Sequence, residues 1–274
     1  MLLVLAVTGW GLRALEAPAW RALRAREPAL QLGALEGALG QGVTVGLLGG
    51  FRALLADLLW IRTNIVWEQR DLPATQTLIK LVTAVDPRPL YFWLNGARMV
   101  AYDMPNWRIV AAGGYDQVPE AAQRKIDEEQ AGVALSYLEA ARRYHPQAAA
   151  IEIEIANVHL NRRKDVAAAA ASYLAASKQP DAPYFVARIY AELLRRLDRK
   201  PEAYAWLCEL YPTLPKPGDP VVASEAEGDD PHAAELQAMR VELAMAPVVL
   251  DRIRELEAEL GVPLAQRFRP AAGP

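Results

Sequence analysis

The sequence predicts an all-α protein built from antiparallel helix pairs, and three observations lead there. From Ala150 to Pro217, six apolar or small positions recur at an offset of 34: Ile153/Ala187, Ala156/Tyr190, Leu160/Leu194, Ala169/Ala203, Tyr173/Leu207 and Ala176/Leu210. Hydrophobic residues make up 53% of the chain with only four phenylalanines, so alanine and leucine must fill the interior. Alanine has the highest helix propensity and lets backbones approach closely. Finally, no convincing run of alternating β-branched residues lies between turn signals. Ile151-Glu152-Ile153-Glu154-Ile155 does alternate, but it falls inside the repeat and is expected in its first helix.

In each copy the first three recurring residues share one face of a first helix, and the last three share one face of a second. Polar turns, Arg162-Arg163-Lys164-Asp165 and Arg196-Leu197-Asp198-Arg199-Lys200, separate the helices. A fixed period of this size marks a repeat fold in which each unit buries its apolar face against its neighbours.

The period and its small residues resemble the tetratricopeptide repeat family. Counted from Ala150 and from Tyr184, the family's small residue at position 20 is met by Ala169 and Ala203. Its large apolar position 24 is met by Tyr173 and Leu207, position 27 by Ala176 and Leu210, and the closing proline by Pro215. The chain departs from the pattern where Asn157 stands at a small position and Asp181 replaces a closing proline. The resemblance implies a right-handed superhelix of helix pairs, an α-solenoid, that binds a peptide or protein on a concave face lined by first helices. Carried over position by position, that face holds Tyr91, Arg98 and Tyr102 in a unit beginning at Leu90. It continues with Glu154, Asn161 and Arg162, then with Phe185, Arg188, Glu192 and Arg195. Arginine and tyrosine suit such a role, because a guanidinium forks onto carboxylates and an aromatic ring anchors in a pocket. The alternative for the same residues is an ordinary solvated helix face. The family's lysine-and-asparagine clamp for a terminal carboxylate is absent from this sequence.

Taken in order, Met1 to Leu12 carries no charged side chain, and Arg13, Arg21, Arg24 and Arg26 follow. Twelve residues fall short of the roughly 20 needed to span a bilayer. Residues 1–27 therefore read as a signal, an anchor or an amphipathic helix, giving a membrane-anchored or exported protein or, in the packed case, a cytoplasmic one. The placement in a bacterial-type envelope rests on general resemblance alone. Residues 28–50 are apolar and contain seven glycines, with Glu36 and Gln41 interrupting the run. The spacings Gly33-x-x-x-Gly37 and Gly42-x-x-x-Gly46 allow close helix contact.

Phe51 to Arg70 is apolar on several sides and predicts a buried helix. Leu72-Pro73 opens the next helix and Asp86-Pro87 closes it, a first degenerate pair. Leu90 to Tyr102 then starts a unit whose second helix is displaced by an insertion at 103–131, because Pro87 to Pro146 spans 59 residues. Inserted loops of this kind carry binding in some repeat proteins; the alternative is a longer second helix behind a covering loop. The repeat region thus covers 51–217. An acidic and proline-rich linker follows at 218–231. Residues 232–274 hold two capping helices, broken at Pro247 and stopped at Gly261, and a frayed tail from Leu264.

Little in the sequence favours catalysis. The net charge is −3, which argues against general nucleic-acid binding. The single Cys208 excludes an intramolecular disulfide framework and a cysteine zinc site. His145, His159 and His232 have no metal-ligand spacing, and no nucleophile elbow or phosphate loop is present, so no cofactor or metal is expected. Glu152 and Glu154 point to different sides of a helix and make a poor acid–base pair. The expectation is a non-enzymatic scaffold or adaptor that holds a protein or peptide. Two alternatives stand beside it: an enzyme or ligand-binding protein with its site under 103–131, and a structural subunit packing through its Trp60/Trp67/Trp93/Trp107 region.

Overall fold

The structure, a computed structural model, describes residues 51–214 and 245–270. The expected N-terminal apolar helix, the glycine-rich segment, the 218–231 linker and the first C-terminal helix lie outside the described residues. Among the described residues the elements are helical and no strand occurs. The chain divides into two compact units, Met1–Ala111 and Ala112–Pro274. The division falls inside the stretch expected as an insertion.

In the first unit, α1 (Arg52–Glu68) and α2 (Leu72–Val85) pack as a hairpin. Three residues join them, which leaves only an antiparallel arrangement. Arg70 takes a left-handed conformation at φ 57, and the Asp71 amide donates back to the Val66 carbonyl at 3.1 Å. That closes α1 with a six-to-one turn that satisfies its orphan carbonyl. Asp71 then caps α2, its Oδ1 accepting from the Ala74 amide at 3.0 Å, and Pro73 sits in the first turn, where no N–H is missed. Helix α3 (Leu90–Arg98) packs on α2 and passes through a wide π turn, Met99–Asp103, into α4 (Met104–Ala111). Ala56, Leu59, Ile79, Val82, Phe92, Trp93 and Ala97 are buried. Asp86, also buried, is gripped by Arg88 through Nε and Nη2, both at 2.9 Å. The Arg88 guanidinium holds this carboxyl below the usual range, and Arg52 adds to the effect.

The second unit contains α5 (Glu120–Arg142), α6 (Ala149–Val158), α7 (Val166–Ser177), α8 (Tyr184–Arg196), α9 (Lys200–Leu210) and α10 (Met245–Glu259). From α6 onward each packs on the one before it. Helix α6 ends in a second π turn, His159–Arg163, which also packs on α5. The recurring residues do what their spacing predicts. Ala156, Ala169, Tyr173, Ala176, Ala187, Tyr190, Leu194, Ala203 and Leu207 are buried, and Ile153, Leu160 and Leu210 pack against the same cluster. Ala169, Ala176 and Ala203 are fully buried, so neighbouring helices come close.

Two features repeat that no residue type announced. Lys164 and Asp198, 34 apart, are both left-handed, at φ 55 and φ 57. Counted back from Pro87, Arg70 occupies the same repeat position. The two π turns also coincide in repeat position, counted from Leu90 and from Ala150. A non-glycine residue in the left-handed region costs about 1–2 kcal/mol, so the helix-to-helix turn holds these side chains against their preference.

One expectation is corrected, that of the tail. Within 103–131 the structure has the longer second helix behind a loop that stood as the alternative: α4 runs to Ala111, α5 starts at Glu120, and residues 112–119 are non-helical. Gly113 and Gly114 take positive φ, 117 and 89, in this loop, and Gln123 Nε2 donates to the Tyr115 and Val118 carbonyls at 2.9 and 2.8 Å. The tail is not frayed over residues 264–270. Phe268 donates its amide to Glu257 Oε1 at 2.6 Å, and its ring meets Tyr211 edge-on at 5.4 Å. Glu257 is 1% exposed and also receives Arg254 at 2.8 Å and the Tyr204 hydroxyl at 3.3 Å. Burial alone would raise its carboxyl; these donors outweigh burial and hold it below the usual range.

Candidate partner-binding surface

The residues expected on a concave face fall in both units. In the first, Tyr91 stands out at 58% exposure, its ring edge-on to Trp60 at 5.6 Å and close to Phe92 at 5.9 Å. Arg98 is exposed in the last turn of α3, and Tyr102 lies half-buried within the π turn. Beside it Asp103 Oδ2 accepts the Trp67 indole N–H at 2.9 Å, and the Trp67 and Trp107 rings lie 6.5 Å apart. Trp60 and Trp93 are interior residues, and Trp93 donates to the Pro87 carbonyl at 2.8 Å. Trp60 Nε1 is buried without a hydrogen-bond partner.

In the second unit Glu154 is buried at 2% exposure, and Asn161 is exposed on the π turn. Arg162 is half-buried and reaches Asp127 of α5 at 3.1 Å. A π turn carries one extra residue, so side chains within and beyond it are rotated from α-helical directions. The family's facing therefore does not carry over simply to Tyr102, Asn161 and Arg162. Burial, with the Arg163 charge behind it, pushes the His159 imidazole below its ordinary value. His159 Nδ1 and Gln130 Oε1 are buried without hydrogen-bond partners.

Helix α8 is regular, and there the four expected residues separate into two groups. Glu192 and Arg195 belong to a partly exposed ion-pair chain with other residues of the same unit. Arg195 reaches Glu192 at 2.9 Å and Glu259 of α10 at 3.2 Å; Lys200 reaches Glu259 at 3.2 Å, and Arg252 reaches Glu192 at 3.8 Å. This chain ties α10 to the end of α8 and the start of α9. Phe185 and Arg188 are different. Phe185 is 39% exposed, and Arg188 makes no ion pair among the described residues, with its Nε buried and unpartnered. They are three apart, so they share a helix face.

The buried Glu152 resolves the alternating stretch. It takes a forked pair of bonds from Arg142, at 2.7 Å from Nε and 2.6 Å from Nη2, joining α5 to α6. The hydrogen bond to Glu152 raises the Arg142 guanidinium, and Glu139 adds to it. Among the described residues no group of three or more His, Cys, Asp or Glu side chains is placed to hold a metal. No described helix is long and apolar enough to cross a membrane.

Compared with known proteins, the sequence matches no family model and no curated relative.

Proposed function

We propose that this chain is a non-enzymatic scaffold of the tetratricopeptide type. Its helix pairs stack as a right-handed superhelix and hold a peptide or protein partner on the face formed by first helices. In this reading residues 1–27 bring the scaffold to a membrane, in a bacterial-type envelope. The observation that carries the reading is the Phe185–Arg188 pair on α8: an exposed ring beside a guanidinium that no acid in the described chain neutralises. Sparse arginine and aromatic anchors supply most of the energy at protein interfaces. A guanidinium with a buried edge selects a carboxylate, and its planar fork adds direction. The partner segment is therefore acidic, with an apolar side chain adjacent.

The test is fluorescence anisotropy with a library of acidic peptides containing aromatic or leucine residues. Arg188→Ala and Phe185→Ala should each weaken the selected peptides at least tenfold, with unfolding midpoints unchanged. Arg195→Ala should lower stability instead, because it breaks the bridge to α10. Peptide binding indifferent to both Phe185 and Arg188 removes this surface from the account.

A further inference from the structure

Helix α1 has two apolar faces, and among the described residues of the unit only one is used. Ala56, Leu59, Trp60 and Thr63 are buried. On another side Phe51, Leu54, Leu58, Ile61 and Ile65 are exposed by 62%, 57%, 55%, 57% and 51%. Their spacing alternates three, four, three, four. That is the seam of a two-stranded coiled coil, with Phe51, Leu58 and Ile65 at a positions and Leu54 and Ile61 at d. A helix lying on a bilayer shows a broader apolar face.

The charges beside the seam choose the occupant. Asp57 falls at position g and Arg62 at position e of the next heptad. Both are exposed, and neither makes an ion pair among the described residues. They are five apart, so they do not face each other on their own helix. In a parallel pair of identical helices, g of one strand meets the following e of the other. A second copy thus offers Arg62 to Asp57 and Asp57 to Arg62, twice by symmetry. An antiparallel copy would set g against g and e against e, matching neither charge. Residues 29–50 of the same chain contain no Lys or Arg for Asp57.

We infer that α1 is a self-association surface: two copies of this chain pair through the Phe51–Ile65 stripe, side by side and parallel. The seam is short, about two heptads. Each helix is already fixed by its hairpin with α2, so association does not bear the cost of folding it. Five half-exposed large side chains on each copy bury on the order of 1,000 Å² in total, near the lower bound of specific interfaces. A reversible dimer follows. The inference stands apart from the peptide-binding surface on α8.

The experiment uses the full chain with Cys208→Ser. Sedimentation gives the dimer dissociation constant, and circular dichroism checks that each variant is folded. Asp57→Arg and Arg62→Asp should each raise the constant at least tenfold, and the two together should return it to within threefold of the parent. Leu58→Cys alone should give a disulfide-linked dimer on mild oxidation, and Ala53→Cys, off the seam, should not. The inference is overturned by any of four results: a monomer at 50 micromolar, where about 1 mM would then be the scale of affinity; failure of the double charge exchange to restore pairing; cross-linking only when Leu58→Cys is mixed with Ile61→Cys, which marks an antiparallel pair; or a Leu58→Cys link to a cysteine placed within residues 29–50 of the same chain.

Discussion

Replacing Ile253 with alanine tests whether α10 is an integral part of the second unit. Ile253 is fully buried, in one cluster with Leu193, Leu194 and Leu207 of the preceding helices. The substitution removes three carbons, worth about 0.8 kcal/mol each in transfer free energy, or about 2.4 kcal/mol together. The cavity left among helices already held by the Glu192–Arg195–Glu259 ion pairs adds about 1 kcal/mol more. The expected loss is therefore about 3–4 kcal/mol, read from urea unfolding followed by circular dichroism. The slope of the transition should stay unchanged, because the surface exposed on unfolding is the same. A loss below about 1 kcal/mol, within the range of surface substitutions, would mean that α10 does not close this core, and the capping argument would fail.

Three further outcomes follow from the geometry. Lys164→Gly and Asp198→Gly should be neutral or stabilising by up to about 1 kcal/mol, whereas Lys164→Val should cost about 1–2 kcal/mol, since only glycine enters the left-handed region freely; thermal unfolding measures both. Arg142→Ala should cost about 2 kcal/mol by leaving the buried Glu152 unpaired, and Arg142→Met with Glu152→Met should recover most of it, as chemical denaturation of the three variants would show. Asp86 has a carboxyl lowered first by the Arg88 hydrogen bonds, so its contribution is present above the unfolded value near 3.8 and lost as pH falls through the lower folded value. The deficit of Asp86→Asn relative to the parent should therefore be full at pH 7 and shrink below about pH 4 in denaturation curves taken across that range.

The helices were readable in the sequence because their determinants are local. The 34-residue recurrence of Ala156/Tyr190, Ala169/Ala203 and Tyr173/Leu207 located the second-unit core, and Leu72-Pro73 and Gly261 marked a start and a stop. The left-handed turns at Arg70, Lys164 and Asp198 were hidden, since tertiary packing and not glycine imposes them. The π turns were hidden too, because no residue type marks where a helix takes in an extra residue. Both matter for the candidate surface: the π turns rotate Tyr102, Asn161 and Arg162 away from the directions that regular helices would give them. Arg195 and Glu192 had the residue types of a binding face, but their partners, Glu259 and Arg252, lie more than fifty residues away in the chain. Sequence spacing holds no record of such a contact. The packed tail was likewise invisible, since it depends on the buried carboxylate of Glu257.

Duplicating one period puts the stacking of helix pairs to its most direct trial. A second copy of residues 150–183, placed before Tyr184, should be taken up as an extra helix pair, because each unit of a solenoid touches only its neighbours. The lengthened chain should gain helical ellipticity in proportion and unfold cooperatively with a steeper denaturant dependence. A closed bundle has no room for another pair. Loss of cooperative unfolding or aggregation of the 34-residue duplication, matching a control that duplicates only residues 150–180, would contradict the account.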